Sequence, residues 1–326
     1  MKSWFIQAGD GQTVLDLREV AVPAPGPGQV LVRIRAAGLN RGEFIAAHGL
    51  HAKSGGAKPA GQEGAGEISA IGTGVTGLRT GDRVMGRCPG AFSDSALMDV
   101  REAVKVPGNL SWEEAAAVPL TFMVVHDMLI AQGQLKPGEW LLITGVSSGV
   151  GVAALQAGKA LGGKIIGTSG SAAKLEKLKA LGLDAGIQTR AGDFHAAVMQ
   201  ATGGHGVDLV VNNVGGSVFA ECVRTLAFEG RLATVGYVDG VLKSEIDIEA
   251  LHAKRLKLFG VSNKLRNPEQ RATSARGFVA DLLPAIADGR IRPLIDRVFA
   301  IEDLPAAKAL MESNAHLGKI VVRAPV

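Results

Sequence analysis

The sequence predicts an α/β protein in which a doubly wound parallel sheet is joined to a second, β-rich domain. Three observations carry this. Between residues 140 and 260, short strand-like runs alternate with helical segments, a spacing that requires crossover connections and parallel pairing. Before Ser111 the apolar residues instead alternate at period two between Gly- and Pro-rich turns. The chain is also long enough, at 326 residues, for about two domains.

The elements follow in order. Pro23, Pro25 and Pro27 with Gly26 and Gly28 make a turn. In the strand after it Val30, Val32 and Ile34 alternate with Leu31, Arg33 and Arg35. Runs at 64–71, 83–85 and 103–106 complete a compact antiparallel domain. Ser111-Trp112-Glu113-Glu114 is a capping box that opens a helix, and Pro119 breaks it within two turns. Strands are then expected at 140–144, 164–167, 185–188, 207–211, 231–235 and 256–260. Helices are expected up to about 161 and near 172–181, 194–201 and 217–227. A helix at about 269–288, a strand near Val298, a helix at 305–312 and a strand at 319–323 form a tail without a core of its own. That tail is expected to return to the first domain, so the domains are 1–121 with 264–326, and 122–263.

Composition narrows the function. Glycine supplies 44 residues with no Gly-X-Y period, which implies many tight turns. Aromatics are 4% and the net charge is only +4, so neither a base-stacking platform nor a basic patch for nucleic acid is expected. The longest apolar stretch, around 115–125, contains Pro119 and Thr121 and is too short to span a membrane. The first ten residues hold only Trp4-Phe5-Ile6 as an apolar cluster, so a cytoplasmic protein is expected. Cys88 and Cys222 cannot form a disulfide framework or a four-cysteine zinc site.

The chemistry sits in the glycine-rich turn after the first parallel strand, Gly145-Val146-Ser147-Ser148-Gly149-Val150-Gly151. Small residues there let the backbone approach a pyrophosphate, and the helix N-terminus offers N–H groups and a positive dipole end. After the second strand an NAD site would carry an acid for the ribose hydroxyl. This chain reads Thr168-Ser169-Gly170-Ser171-Ala172-Ala173-Lys174 instead, and hydroxyls with a lysine suit a 2′-phosphate.

These segments, together with Ala36-Ala37-Gly38-Leu39-Asn40, Gly61-Gln62-Glu63-Gly64-Ala65-Gly66, Gly81-Asp82-Arg83-Val84, Gly206-Val207-Asp208, Gly215-Gly216, Gly230-Arg231-Leu232, Gly236 and Gly318-Lys319-Ile320-Val321, carry a resemblance. The chain resembles the zinc-independent quinone oxidoreductase (zeta-crystallin-like) branch of the medium-chain dehydrogenase/reductase superfamily over nearly its whole length. The resemblance implies a GroES-like substrate domain and a Rossmann domain binding NADPH. It also implies a homodimer joined through the edge of the Rossmann sheet. Cofactor contacts are implied for Asn40, Ser147, Ser148, Gly149, Val150, Gly151, Ser169, Gly170, Ser171, Lys174, Arg190, Asn213, Gly215, Val235, Gly236, Phe259 and Val261.

Zinc-dependent relatives coordinate metal at positions matched here by Asn40, Gln62 and approximately Leu120, so no metal is expected. His48 and His51 could share a helix face with Glu43 but lack a third ligand. Departures from the family fall at Ile45 and His51, at Val124-Val125-His126, and at Gln188-Thr189-Arg190, where only the basic member of a phosphate clamp remains. The implied reaction is direct hydride transfer from NADPH to a quinone or other α,β-unsaturated carbonyl. The nicotinamide is expected at the C-terminal ends of the parallel strands, facing a cleft beneath the first domain. Asn40 would donate a hydrogen bond to substrate or cofactor, and water or His51 would supply the proton. Tyr237, the single tyrosine, is a candidate donor or pocket wall and also a candidate structural residue. The alternatives are an enoyl-thioester reductase acting on acyl carriers, and a non-catalytic NADPH-binding sensor or RNA-associated protein.

Overall fold

The computed structural model describes residues 1–9, 11–45 and 56–324, and these divide into two compact units. One comprises Met1–Thr121, Asn267–Val279 and Pro293–Val326; the other comprises Phe122–Arg266 and Ala280–Arg292.

The first unit opens with β1 (Lys2–Gly9), β2 (Gln12–Glu19), β3 (Gln29–Gly38), β4 (Lys58–Pro59), β5 (Glu63–Ile71), β6 (Arg83–Arg87), β7 (Ser95–Asp99) and β8 (Ala103–Lys105). Ser111 caps α1 (Trp112–Ala116) through the full capping box, with Glu114 N–H donating to its hydroxyl and Glu114 accepting from Ser111 N–H. Pro119 begins α2 (Pro119–His126), which takes the chain from one unit into the other.

The second unit alternates β9 (Trp140–Thr144), α3 (Gly149–Ala160), β10 (Lys164–Ser169), α4 (Ala172–Lys179), β11 (Ala185–Gln188), α5 (His195–Ala201), β12 (Val207–Asn212), α6 (Phe219–Thr225), β13 (Leu226–Thr234), α7 (Ile248–Ala253) and β14 (Lys257–Gly260). Its sheet runs β11-β10-β9-β12-β13-β14 and every adjacent pair is parallel. That order is the dinucleotide-binding doubly wound arrangement, and it reverses direction between β9 and β12. Leu142, Ile166, Val210 and Leu232 are buried from four strands and pack with Phe194, Val198 and Cys222. Each fully buried side chain of this kind contributes roughly 1.5–3 kcal/mol.

The tail corrects three expectations. The single helix at about 269–288 is two, α8 (Pro268–Asp281) and α9 (Leu283–Ala287), because Pro284 lacks the N–H a continuous helix would need. The tail also does not return to the first unit in one piece, and residues 264–266 stay with the second. Residues 280–292 also belong to the second unit, where Ile286 and Ile291 are fully buried and Arg292 N–H donates to Gln156 Oε1 at 2.9 Å. The remainder, β15 (Ile295–Ala300), α10 (Leu304–Glu312) and β16 (Lys319–Arg323), completes the first unit. β16 pairs antiparallel with β3, whereas β15 pairs parallel with β16, so that sheet is mixed where an antiparallel one was expected. Trp4, Ile34, Phe92, Leu304 and Ile320 share its core.

Candidate functional site

The glycine-rich turn is held from below. Val146 N–H donates to Thr168 O and Gly145 N–H reaches Thr168 Oγ1, which fastens the turn to the end of β10. Ser148 caps α3 by accepting from Gly151 N–H at 3.1 Å, an arrangement that contributes about 1 kcal/mol. A Cβ on Gly151 would lie 2.6 Å from Gly145 O and 2.7 Å from Val146 Cα, so only glycine lets the helix start this close to the strand. The 12-residue helix therefore presents its first N–H groups over the sheet's C-terminal edge, where an anion is stabilised.

Beside it, β10 ends in hydroxyls. Ser169 Oγ lies 3.3 Å from Ser147 Oγ and accepts from Ser171 N–H; Ser171 in turn caps α4 by accepting from Lys174 N–H. Thr189 N–H donates to Ser169 O, which brings the loop after β11 alongside. Arg190 lies across Gly170, so close that a Cβ there would be 2.7 Å from its Cγ and 2.8 Å from its Cζ. Ser169, Gly170, Ser171, Lys174 and Arg190 thus gather in one corner.

Across the switch point the edge is cross-linked by amides. Asn212 Oδ1 accepts from Thr144 Oγ1, Val214 N–H and Gly215 N–H, and its Nδ2 donates to Gly215 O. Asn213 donates its backbone N–H to Thr144 Oγ1 and its Nδ2 to Thr144 O, so this side chain ties β12 to β9. Gly215 adopts φ 134°, and Asp239 fills the place of its missing Cβ while accepting from Ser217 and Val241. Burial would raise the Asp239 carboxyl, but those donors outweigh it and hold it below the usual carboxylate range. Val235 and Gly236 follow β13, and Phe259 and Val261 lie at the end of β14. Tyr237 is half-buried on the same edge, its carbonyl accepting from Gly240 N–H.

Asn40 belongs to a different constellation, inside the first unit. Its Nδ2 donates to Glu63 Oε1 at 2.9 Å and to Glu43 Oε1 at 3.3 Å, and its Oδ1 accepts from Lys319 Nζ at 3.1 Å. Lys319 also donates to Glu63 Oε1 at 2.6 Å and to Leu39 O; Glu63 Oε2 accepts from Leu120 N–H, and Glu43 Oε2 accepts from Gly61 N–H. Both amide hydrogens of Asn40 are thereby directed at Glu63 and Glu43, partners that the sequence did not name. Burial pushes Glu43 up to about 8, Asn40 and Gly61 oppose the shift, and the neighbouring Glu63 adds to it. Glu43 is 5% exposed, and His48 and His51 lie outside the described residues. Sequence reading missed the roles of Glu63 and Lys319; each opens its strand within a motif quoted above, and that charged first residue was the available signal.

Among the described residues no group of three or more His, Cys, Asp or Glu could hold a metal ion. Both cysteines are fully buried, and burial pushes the Cys88 thiol up to about 12. No helix among the described residues is long and apolar enough to cross a membrane.

Comparison with known proteins agrees with this geometry. Residues 26–126 match the alcohol dehydrogenase GroES-like domain, and residues 149–275 match the zinc-binding dehydrogenase model. The quinone oxidoreductase of Escherichia coli, solved as a complex with NADPH, superposes with a TM-score of 0.88 at 26% identity, covering 99% of this chain and all of that one. The chain belongs to the medium-chain dehydrogenase/reductase superfamily. It carries the motifs of the zinc-independent quinone oxidoreductase branch. Two further proteins are comparably similar. CurK enoyl reductase superposes with a TM-score of 0.85 at 27% identity, over 99% of this chain and all of that one. A phenolphthiocerol/phthiocerol polyketide synthase polypeptide of Mycobacterium tuberculosis is 34% identical over 95% of this chain, which spans only 14% of that synthase.

Proposed function

We propose that this chain is a zinc-independent, NADPH-dependent reductase of quinones and other α,β-unsaturated carbonyl compounds. The corner at Gly170 carries the cofactor assignment: the Ser169 and Ser171 hydroxyls and the Arg190 side chain meet there, Lys174 stands in the first turn of α4, and no acid stands at the end of β10. That donor set fits a 2′-phosphate, whereas a ribose hydroxyl would want a carboxylate. The N-terminus of α3 would hold the pyrophosphate, and Gly215, Val235, Gly236, Phe259 and Val261 would shape the far half of the site. NADPH, when bound, supplies the hydride, so the chain's own task is to orient and to exclude water. The proton comes from water or from His51, with Tyr237 on that edge as a further candidate donor or pocket wall. Asn40 acts as a positioning residue within its carboxylate network.

A second reading, reduction of enoyl thioesters, is favoured by the 34% identity with part of a polyketide synthase and the likeness to CurK enoyl reductase. The protein is also read as a homodimer joined along β14, whose outer edge is unpaired in the sheet order, with Phe228, Leu242 and Ile248 exposed in the flanking chain. Its two buried thiols suit a reducing cytoplasm.

The test is NADPH oxidation over a panel of quinones, enones and enoyl thioesters, with 4-deuterated NADPH. Turnover with deuterium on the reduced carbon of an enone or enoyl thioester supports hydride transfer, and the preferred class decides between the two readings. Binding of NADPH without turnover of any class would favour a non-catalytic sensor or RNA-associated protein.

A further inference from the structure

After α2 the chain makes a π-helical turn, Asp127–Ala131, in which Gln132 N–H donates to Asp127 O at 3.0 Å, five residues back. Such a turn admits an extra residue and re-aims its side chains. Here it turns in Asp127, which is 5% exposed. Both its carboxylate oxygens are engaged: Oδ2 accepts from Arg266 at 2.7 Å, and Oδ1 accepts from Gln132 Nε2 at 3.1 Å. The same Gln132 nitrogen donates to Gly260 O at 3.3 Å. Gly260 ends β14, and Arg266 closes the loop that follows by donating its N–H to Asn263 O. One buried carboxylate therefore reaches both ends of loop 260–266. Leu265 is 91% exposed and does not anchor the far end of the loop, whereas Arg266 beside it is tied to the buried Asp127.

This loop leaves the C-terminal edge of the sheet beside β13, where Val261 N–H donates to Thr234 O. A dinucleotide bound across the switch point puts its halves on opposite sides of it. The 2′-phosphate corner lies at β10 and β11, which leaves the β12–β14 side for the nicotinamide half. We propose that Asp127 is a positioning residue that holds loop 260–266, through Arg266 and Gln132, in the shape the nicotinamide half of the cofactor requires. This rests on the NADPH reading above.

The test compares two ligands that share the adenosine end, NADPH and 2′,5′-ADP, on Asp127→Asn, Arg266→Gln and the double variant of the full chain. Asp127→Asn keeps the volume and an acceptor for Gln132, and Arg266→Gln carries the test if the first fails to fold. Each single variant is expected to raise the Kd for NADPH about 10-fold, the loss of one charge-assisted contact, and to leave the Kd for 2′,5′-ADP unchanged. The double variant is expected to be no worse than either single one, because the pair acts as a unit. Equal weakening of both ligands would mark a general structural defect, and unchanged NADPH binding would mark an idle contact; either overturns the proposal while the cofactor reading stands. If the wild-type chain binds neither ligand, the cofactor reading falls and the proposal falls with it.

Discussion

Replacing Glu43 by Gln should make the protein's stability much less sensitive to pH between 5 and 8. Glu43 is 5% exposed, and burial beside Glu63 pushes it up to about 8 from an ordinary value of 4.5. Between those values the unfolded chain gives up the proton and the folded chain keeps it. A group raised in this way supports the fold fully below about 4.5, and its support is lost as pH climbs toward 8. At about 1.4 kcal/mol per pH unit, the loss from pH 5 to pH 8 is roughly 4 kcal/mol. The introduced glutamine does not titrate, and its side-chain oxygen can still accept from Gly61 N–H. Urea unfolding of both proteins at each pH, followed by tryptophan fluorescence, reads the difference, since Trp4 and Trp112 both lie in the unit that holds Glu43. The variant should gain on the wild type steadily as pH rises. Parallel profiles for the two proteins would refute the reasoning and show that Glu43 stays ionised in the folded state.

Three further outcomes are expected. Lys174→Ala should weaken NADPH binding roughly 10- to 100-fold and leave NADH binding unchanged, measured by titration of nicotinamide fluorescence; equal losses would remove the 2′-phosphate assignment. Asn40→Ala leaves Glu43 and Glu63 facing each other without their shared donor, so it should lower the urea midpoint by the equivalent of about 1–3 kcal/mol and reduce kcat/KM with it. Lower kcat/KM at unchanged stability would return Asn40 to direct contact with substrate. Extended dialysis against a chelator should leave turnover intact, and elemental analysis finding stoichiometric zinc would contradict the reading of Asn40, Gln62 and Leu120.

The sequence alone determined the parallel sheet, because β-branched runs and glycine turns at regular spacing admit few other structures. Strands β9, β11 and β16 fall where the pattern put them, and Ser111 caps its helix through the expected box. It also pointed to Ser169, Ser171 and Lys174, since a missing acid after a second parallel strand is a local signal, whereas Arg190 entered through the family resemblance. β1, β2 and β7 were not legible: β1 and β2 pair with each other and β7 with β3, partners that a single strand's own residues do not name. The tail's division between two units depended on where Ile286, Ile291 and Arg292 found burial and a hydrogen-bond partner. Tertiary structure alone decided the employment of Asn40. Glu43, Glu63 and Lys319 converge on it from three separate segments, a network its own motif does not report. Asp127 is the same case. Its partner Arg266 lies far along the chain, and no period or propensity in a sequence reports an ion pair that only folding brings together.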